Sequence, residues 1–205
     1  MVLTTELTKF TTASPAIASY DYTEIEDGLG YSYYYPFTTE DGQYLMTGNS
    51  ALYSHNSYTS VRSTTGTLID QTFQMAFNSN KELNGIIYYN VPLTIDVAGS
   101  SISRTMTVEV KIYHYDGTTQ TQLGSTKEVI YTANGTGSSL DTIACFAIDA
   151  DYQHFRVGEY IQLNLKITYA CSNNSTWGVG HDPANRDFGT YGARQTLQLP
   201  FKLNI

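Results

Sequence analysis

Apolar and polar residues alternate along most of this chain from about residue 67 onward, which is the period of a strand with one buried side. In Arg104 to Tyr115, Met106, Val108, Val110 and Ile112 fall on one face. Thr107, Glu109, Lys111 and Tyr113 fall on the other. Glu159 to Cys171 repeats the pattern, with Ile161, Leu163, Leu165, Ile167 and Tyr169 against Gln162, Asn164, Lys166 and Thr168. Further runs at Leu68 to Phe77, Ile86 to Val97, Gln122 to Tyr131, Leu140 to Ile148 and Arg194 to Leu203 are short and bounded by Gly, Asn, Asp or Ser. Asp116-Gly117 predicts a hairpin between the strand ending at Tyr115 and the segment after it. No amphipathic helical pattern of comparable length occurs.

The pattern predicts an all-β fold, an antiparallel β-sandwich with a jelly roll ahead of an immunoglobulin-like topology, because alternating sheets bury their apolar faces against one another. Residues 1–66 differ. They hold nine tyrosines and seven acidic residues against only Lys9 and Arg62, with little sustained alternation. We expect an irregular tyrosine-rich N-terminal arm or loop-rich extension over 1–66 and a jelly-roll-like β-sandwich domain over 67–205. Tyrosine suits surfaces that become partly buried against another chain. Tyr20, Tyr22, Tyr31, Tyr33, Tyr34, Tyr35 and Phe37 are therefore the expected partner-binding residues.

Composition narrows the partners. Only 15% of residues are charged and the net charge is −8, with basic residues scattered singly, so no stripe exists to neutralise a phosphate backbone. Nucleic acid is not an expected partner. Neither is a membrane, since no run approaches the roughly 20 apolar residues of a spanning helix. The N-terminus lacks the pattern of a signal peptide, so synthesis in the cytoplasm is expected. Cys145 and Cys171 read as buried free thiols; a disulfide requires their strands to be neighbours.

Candidate chemistry centres on Trp177-Gly178-Val179-Gly180-His181-Asp182-Pro183-Ala184-Asn185-Arg186-Asp187-Phe188-Gly189. Asp182 with Asp187, or Glu24 with Glu26, supplies carboxylate pairs, but no GxSxG elbow is present and His55, His114, His154 and His181 are far apart in sequence. Asp149-Ala150-Asp151, or His181-Asp182 with Asp187, makes a surface calcium conceivable, yet solvated loop acids are the plainer reading. By parity His114 sits at the core edge, bonded to a carbonyl. No enzyme, cofactor or metal is expected. Asp182 precedes Pro183 and is held extended, while Asn185, Arg186 and Asp187 can cap and tie turns. Trp177, His181, Asp182, Asn185, Arg186 and Asp187 thus read as a shaped loop. Trp177, Tyr191 and the tyrosine clusters also offer rings for weak glycan binding.

Gly158-Glu159 opening a strand, then GHDPANRDFG, then Leu199-Pro200-Phe201-Lys202-Leu203 resembles the small β-sandwich virion structural proteins of tailed bacteriophages, over about residues 85 to 205. The resemblance implies a decoration or cement protein bound to the capsid surface. Its partners would be the major capsid protein or other virion proteins, and its location the virion after synthesis in the host cytoplasm. A homo-oligomer, with a trimer suited to three-fold positions of a shell, fits that role. The alternative is a lectin-like module on a virion or tail surface. No catalytic residues are carried over.

Overall fold

The computed structural model describes residues 29–55, 58–97, 102–135, 140–184 and 194–202. Among them nine strands run in the order β1 (Leu29–Thr38), β2 (Tyr44–Thr47), β3 (Tyr58–Ala76), β4 (Lys81–Val97), β5 (Ile102–Tyr115), β6 (Gln120–Gly135), β7 (Leu140–Phe155), β8 (Tyr160–Gly180) and β9 (Thr196–Lys202). The fold is all-β; no helix occurs among the described residues, so none is long and apolar enough to cross a membrane.

Hydrogen-bonded neighbours follow the order β6-β5-β8-β3-β2-β1-β9-β4-β7, and β8 pairs additionally with β4. That extra pairing closes β8, β3, β2, β1, β9 and β4 into a six-stranded barrel, with β5-β6 and β7 attached outside the ring. The all-β expectation is met, with the strands joined in a ring. One contact within the ring, β2 with β3 through Leu45 and Gln74, is parallel.

Closure depends on the length of β8. Its first part, from Tyr160 to Cys171, lies between β3 and β5. Its last part, Ser175 to Val179, lies between β3 and β4. Ser63 pairs with Ser175 and Thr65 with Ala170, which leaves residues 171–174 without partners on β3. An irregularity of this kind lets a strand leave one neighbour and join another.

The arm expected over 1–66 is corrected from residue 29 onward. β1 pairs with β9 from Leu29↔Lys202 to Tyr34↔Leu197, and β2 and the first part of β3 also precede the expected boundary at residue 66. Tyr31, Tyr33, Tyr35 and Phe37 alternate with Tyr34, whose ring packs against the core and whose hydroxyl burial holds above its ordinary pKa. Outside, the Tyr31 ring meets Tyr88 of β4 at 5.8 Å, and Arg194 lies over Tyr35 at 5.6 Å. Tyr20 and Tyr22 lie outside the described residues.

The core is formed by the apolar faces that the alternation marks, with Val108, Val110 and Ile112 of β5 and Ile161, Leu163, Leu165 and Ile167 of β8 all buried. Each such side chain contributes about 1.5–3 kcal/mol relative to exposure. The Asp116-Gly117 hairpin forms as expected. Asp116 Oδ1 accepts from Thr119 N at 2.7 Å and from Thr118 N and Oγ1 at 2.8 Å, and these bonds, the backbone ones foremost, lower its pKa to about 2.

The two outermost strands, β6 and β7, approach each other. Tyr131 Oη donates to the Ile143 carbonyl at 3.3 Å, and Gly124 (φ +65°) lies against the Asp149 carbonyl and Ile148. A Cβ at Gly124 would run into both and also demand a left-handed backbone. Gly124→Ala is expected to lower unfolding stability by roughly 2–4 kcal/mol with an unchanged denaturant slope. Urea unfolding of the two chains checks this.

Candidate functional site

On the outside of β6, β5, β8 and β3 the polar halves of the alternation fall into register. Thr107 stands opposite Ile130 on β6 and Thr168 on β8; Glu109 stands opposite Glu128 and Lys166; Lys166 stands opposite Asp70 on β3. Thr107, Glu109, Glu128, Lys166 and Thr168 line a surface depression of about 190 Å³. Pockets that enclose drug-sized molecules run to roughly 300–1,000 Å³, so this one suits a small molecule or one unit of a larger one.

Its charges are unevenly satisfied. Glu109 Oε1 accepts from Lys111 Nζ at 2.8 Å, and the carboxylate holds that ammonium above its ordinary pKa. Lys166 Nζ reaches Asp70 Oδ2 only at 4.0 Å, with both side chains about half exposed. Glu128 is exposed and makes no ion pair among the described residues. Like charges placed opposite one another on adjacent strands destabilise a sheet, so the Glu109–Glu128 pair favours a positive group nearby.

Further along the same face side-chain amides join the strands. Gln120 Nε2 donates to Gln162 Oε1 at 2.7 Å, and Gln162 Nε2 to Gln74 Oε1 at 3.1 Å, linking β6, β8 and β3 above the backbone ladder. Asn164 Nδ2 reaches Thr72 Oγ1 at 3.2 Å. Alternation marks these residues as outward-facing; only strand pairing reveals that they converge.

The stretch that begins at Trp177 is differently placed from the surface loop expected. Trp177 lies within β8, fully buried between Val61 and Ile95. Its ring stacks on Tyr169 at 5.0 Å, and its Nε1 donates to the Ser63 carbonyl at 3.2 Å. It therefore offers no ring to a sugar. His181 and Asp182 are buried too. Thr59 Oγ1 faces His181 Nε2 at 2.9 Å and Thr38 Oγ1 faces Nδ1 at 3.4 Å, while Asp182 Oδ1 accepts from Ser54 N at 3.0 Å. Ser54 Oγ accepts from Thr38 N at 2.8 Å. Serine, histidine and aspartate thus meet, with these bonds running to backbone and threonine groups. They clasp the end of β8 to β1 and to the segment before β3. Asn185, Arg186, Asp187 and Tyr191 lie outside the described residues.

His114 is a core-edge residue as expected, but its partner is a carboxylate. Nε2 meets Glu159 Oε2 at 2.8 Å, and its ring packs edge-on against Phe155 at 4.8 Å. Glu159 Oε2 also accepts from Arg156 N at 2.9 Å, and that backbone bond, followed by His114, holds the carboxyl below its ordinary pKa. Both cysteines are free, on strands that are not neighbours. Cys145 is exposed rather than buried, since it falls on the outward face of β7, and Cys171 is half-buried. Asp149 and Asp151 are exposed on β7. Among the described residues no three metal-ligating side chains group together.

No protein-family model and no curated protein matches the chain. Among solved structures it is similar to a CocE/NonD family hydrolase from Staphylococcus aureus, with 12% identity, 84% of this chain and 37% of the hydrolase covered, and a TM-score of 0.48. An alpha-amino acid ester hydrolase matches at 10% identity over 82% of this chain and 36% of its own, with a TM-score of 0.47. The VP2 protein of infectious bursal disease virus matches at 14% identity over 80% and 43%, with a TM-score of 0.19. The phage decoration reading, its lectin-like alternative and the expectation of no enzyme are corrected: the matched hydrolases reach TM-scores of 0.48 and 0.47 and VP2 only 0.19. The chain spans a little over a third of those hydrolases' length, and likeness at this level assigns it no activity.

Thr59→Val removes the hydroxyl facing buried His181 at nearly constant volume, and a loss of about 1–3 kcal/mol is expected on chemical denaturation. The Glu159 carboxyl, with its pKa depressed in the folded state, contributes stability that is fully present above its ordinary value of 4.5 and is lost as pH falls through the folded value. The Tm advantage of the native chain over Glu159→Gln should therefore shrink between about pH 6 and about pH 3. An advantage that is constant across that range would contradict the assignment.

Proposed function

We propose that this chain is a ligand-binding β-domain whose working surface is the outer face of β6, β5, β8 and β3. The observation that carries the reading is the depression lined by Thr107, Glu109, Glu128, Lys166 and Thr168, where opposite charges and hydroxyls converge on a face braced by side-chain amides. Charged groups with spare hydrogen-bonding capacity in a concave site fix the orientation of a small polar ligand.

In this reading the barrel serves as a flattened, jelly-roll-like sandwich. One layer presents the polar face, and the layer containing β1, β9, β4 and β7 backs it with the shared core. The Gln120–Gln162–Gln74 chain ties β6, β8 and β3 together further along the same face, and a pre-ordered surface lowers the ordering cost of binding.

Amide chemical-shift mapping of the full chain against small polar compounds (sugars, amines, carboxylic acids and amino acids) tests the reading. Shifts induced by at least one class are expected to cluster on the amides of the five lining residues and their strand neighbours. Uniformly unresponsive amides across this face would defeat it.

A further inference from the structure

Charge placement in the depression specifies more than polarity. Glu128, Glu109, Lys166 and Asp70 form one row across β6, β5, β8 and β3, giving the sign sequence minus, minus, plus, minus. Strands lie about 4.8 Å apart, so Glu128 and Lys166 are separated by about 10 Å at their Cα atoms, with Glu109 between. Thr107 and Thr168 place hydroxyls one row away.

Existing pairs leave two groups with capacity. Glu109 is engaged by Lys111 at 2.8 Å, whereas Glu128 makes no ion pair among the described residues. Among the described residues the ion-pair partner of Lys166 is Asp70, at 4.0 Å, and 43% of the lysine side chain is exposed. An exposed pair at that separation contributes little, so the ammonium can turn to a better acceptor. The depression has an acidic end short of a cation and a basic end short of an anion.

We infer that the depression binds a small zwitterion of amino-acid size. Its primary ammonium donates to the Glu128 carboxylate, and its carboxylate accepts from Lys166, with Thr107 and Thr168 hydroxyls alongside. An amine without an acid leaves Lys166 unsatisfied. A simple anion meets two carboxylates and a chain of net charge −8. This inference rests on the ligand-binding reading above.

The test is a shift titration of the full chain with β-alanine, methylammonium, acetate and glucose, repeated on Glu128→Gln, Lys166→Met and Lys166→Arg after each variant is shown to melt like the native chain. β-Alanine is expected to bind about tenfold more tightly than methylammonium or acetate, and Glu128→Gln and Lys166→Met to weaken it about tenfold. Lys166→Arg should retain binding, and salt at about 0.5 M should weaken it. Equal binding of methylammonium and β-alanine, or indifference to Lys166→Met, would overturn the inference. Glucose moving the lining amides while β-alanine does not would overturn the zwitterion and leave the binding domain standing. Silence from every compound would remove both.

Discussion

Every backbone N–H and C=O removed from water needs a partner, and the barrel meets that demand through one strand that changes neighbours midway. β8 holds β3 along one edge on both sides of residues 171–174, and on its other edge exchanges β5 for β4 across them. If that irregularity were absent, β8 would continue beside β5 and the ring through β4 would stay open. Trp177 sits just past the corner, fully buried between the two strands that β8 joins there. Tyr169 lies just before it, stacked on Trp177. The aromatic pair fills the bend from both sides.

Strand positions after residue 67 were legible because one face of each strand is buried and alternation records that fact. Met106 to Ile112 and Ile161 to Tyr169 are buried where parity places them. β1 was hidden because tyrosine occupies both of its faces: Tyr34 buries its ring, while Tyr31 and Tyr33 keep theirs outside. A residue with an apolar body and a polar tip satisfies either environment, so a run of tyrosines carries no period. β8 was cut short for a related reason. After Cys171 the residues Ser-Asn-Asn-Ser-Thr read as a loop, although the strand resumes beyond them to bury Trp177 and Val179.

The depression was legible only in part. Parity assigns Thr107, Glu109, Lys166 and Thr168 to polar faces, but their convergence is a property of register between the β5–β6 hairpin and β8, which is remote from it in sequence. His181 and Asp182 show the opposite failure. Glycines and Asp-Pro predict a shaped surface segment, yet nothing local signals that Thr38, Ser54 and Thr59 come from far away to bond His181 and Asp182 within the interior.

The near approach of β6 and β7 bears on how the two ends of the strand order are covered. These are the terminal strands of the hydrogen-bonded order, and an exposed edge is a template for pairing with another chain. Many proteins guard such edges with lysines, but this chain has only 11 Lys and Arg residues in all. Here the two edges shelter each other instead. Gly124 lets the β6 backbone lie directly against the Asp149 carbonyl of β7, so each edge occupies the space through which a foreign strand would have to enter. A single hydrogen atom in place of a side chain thereby lets the two edges meet.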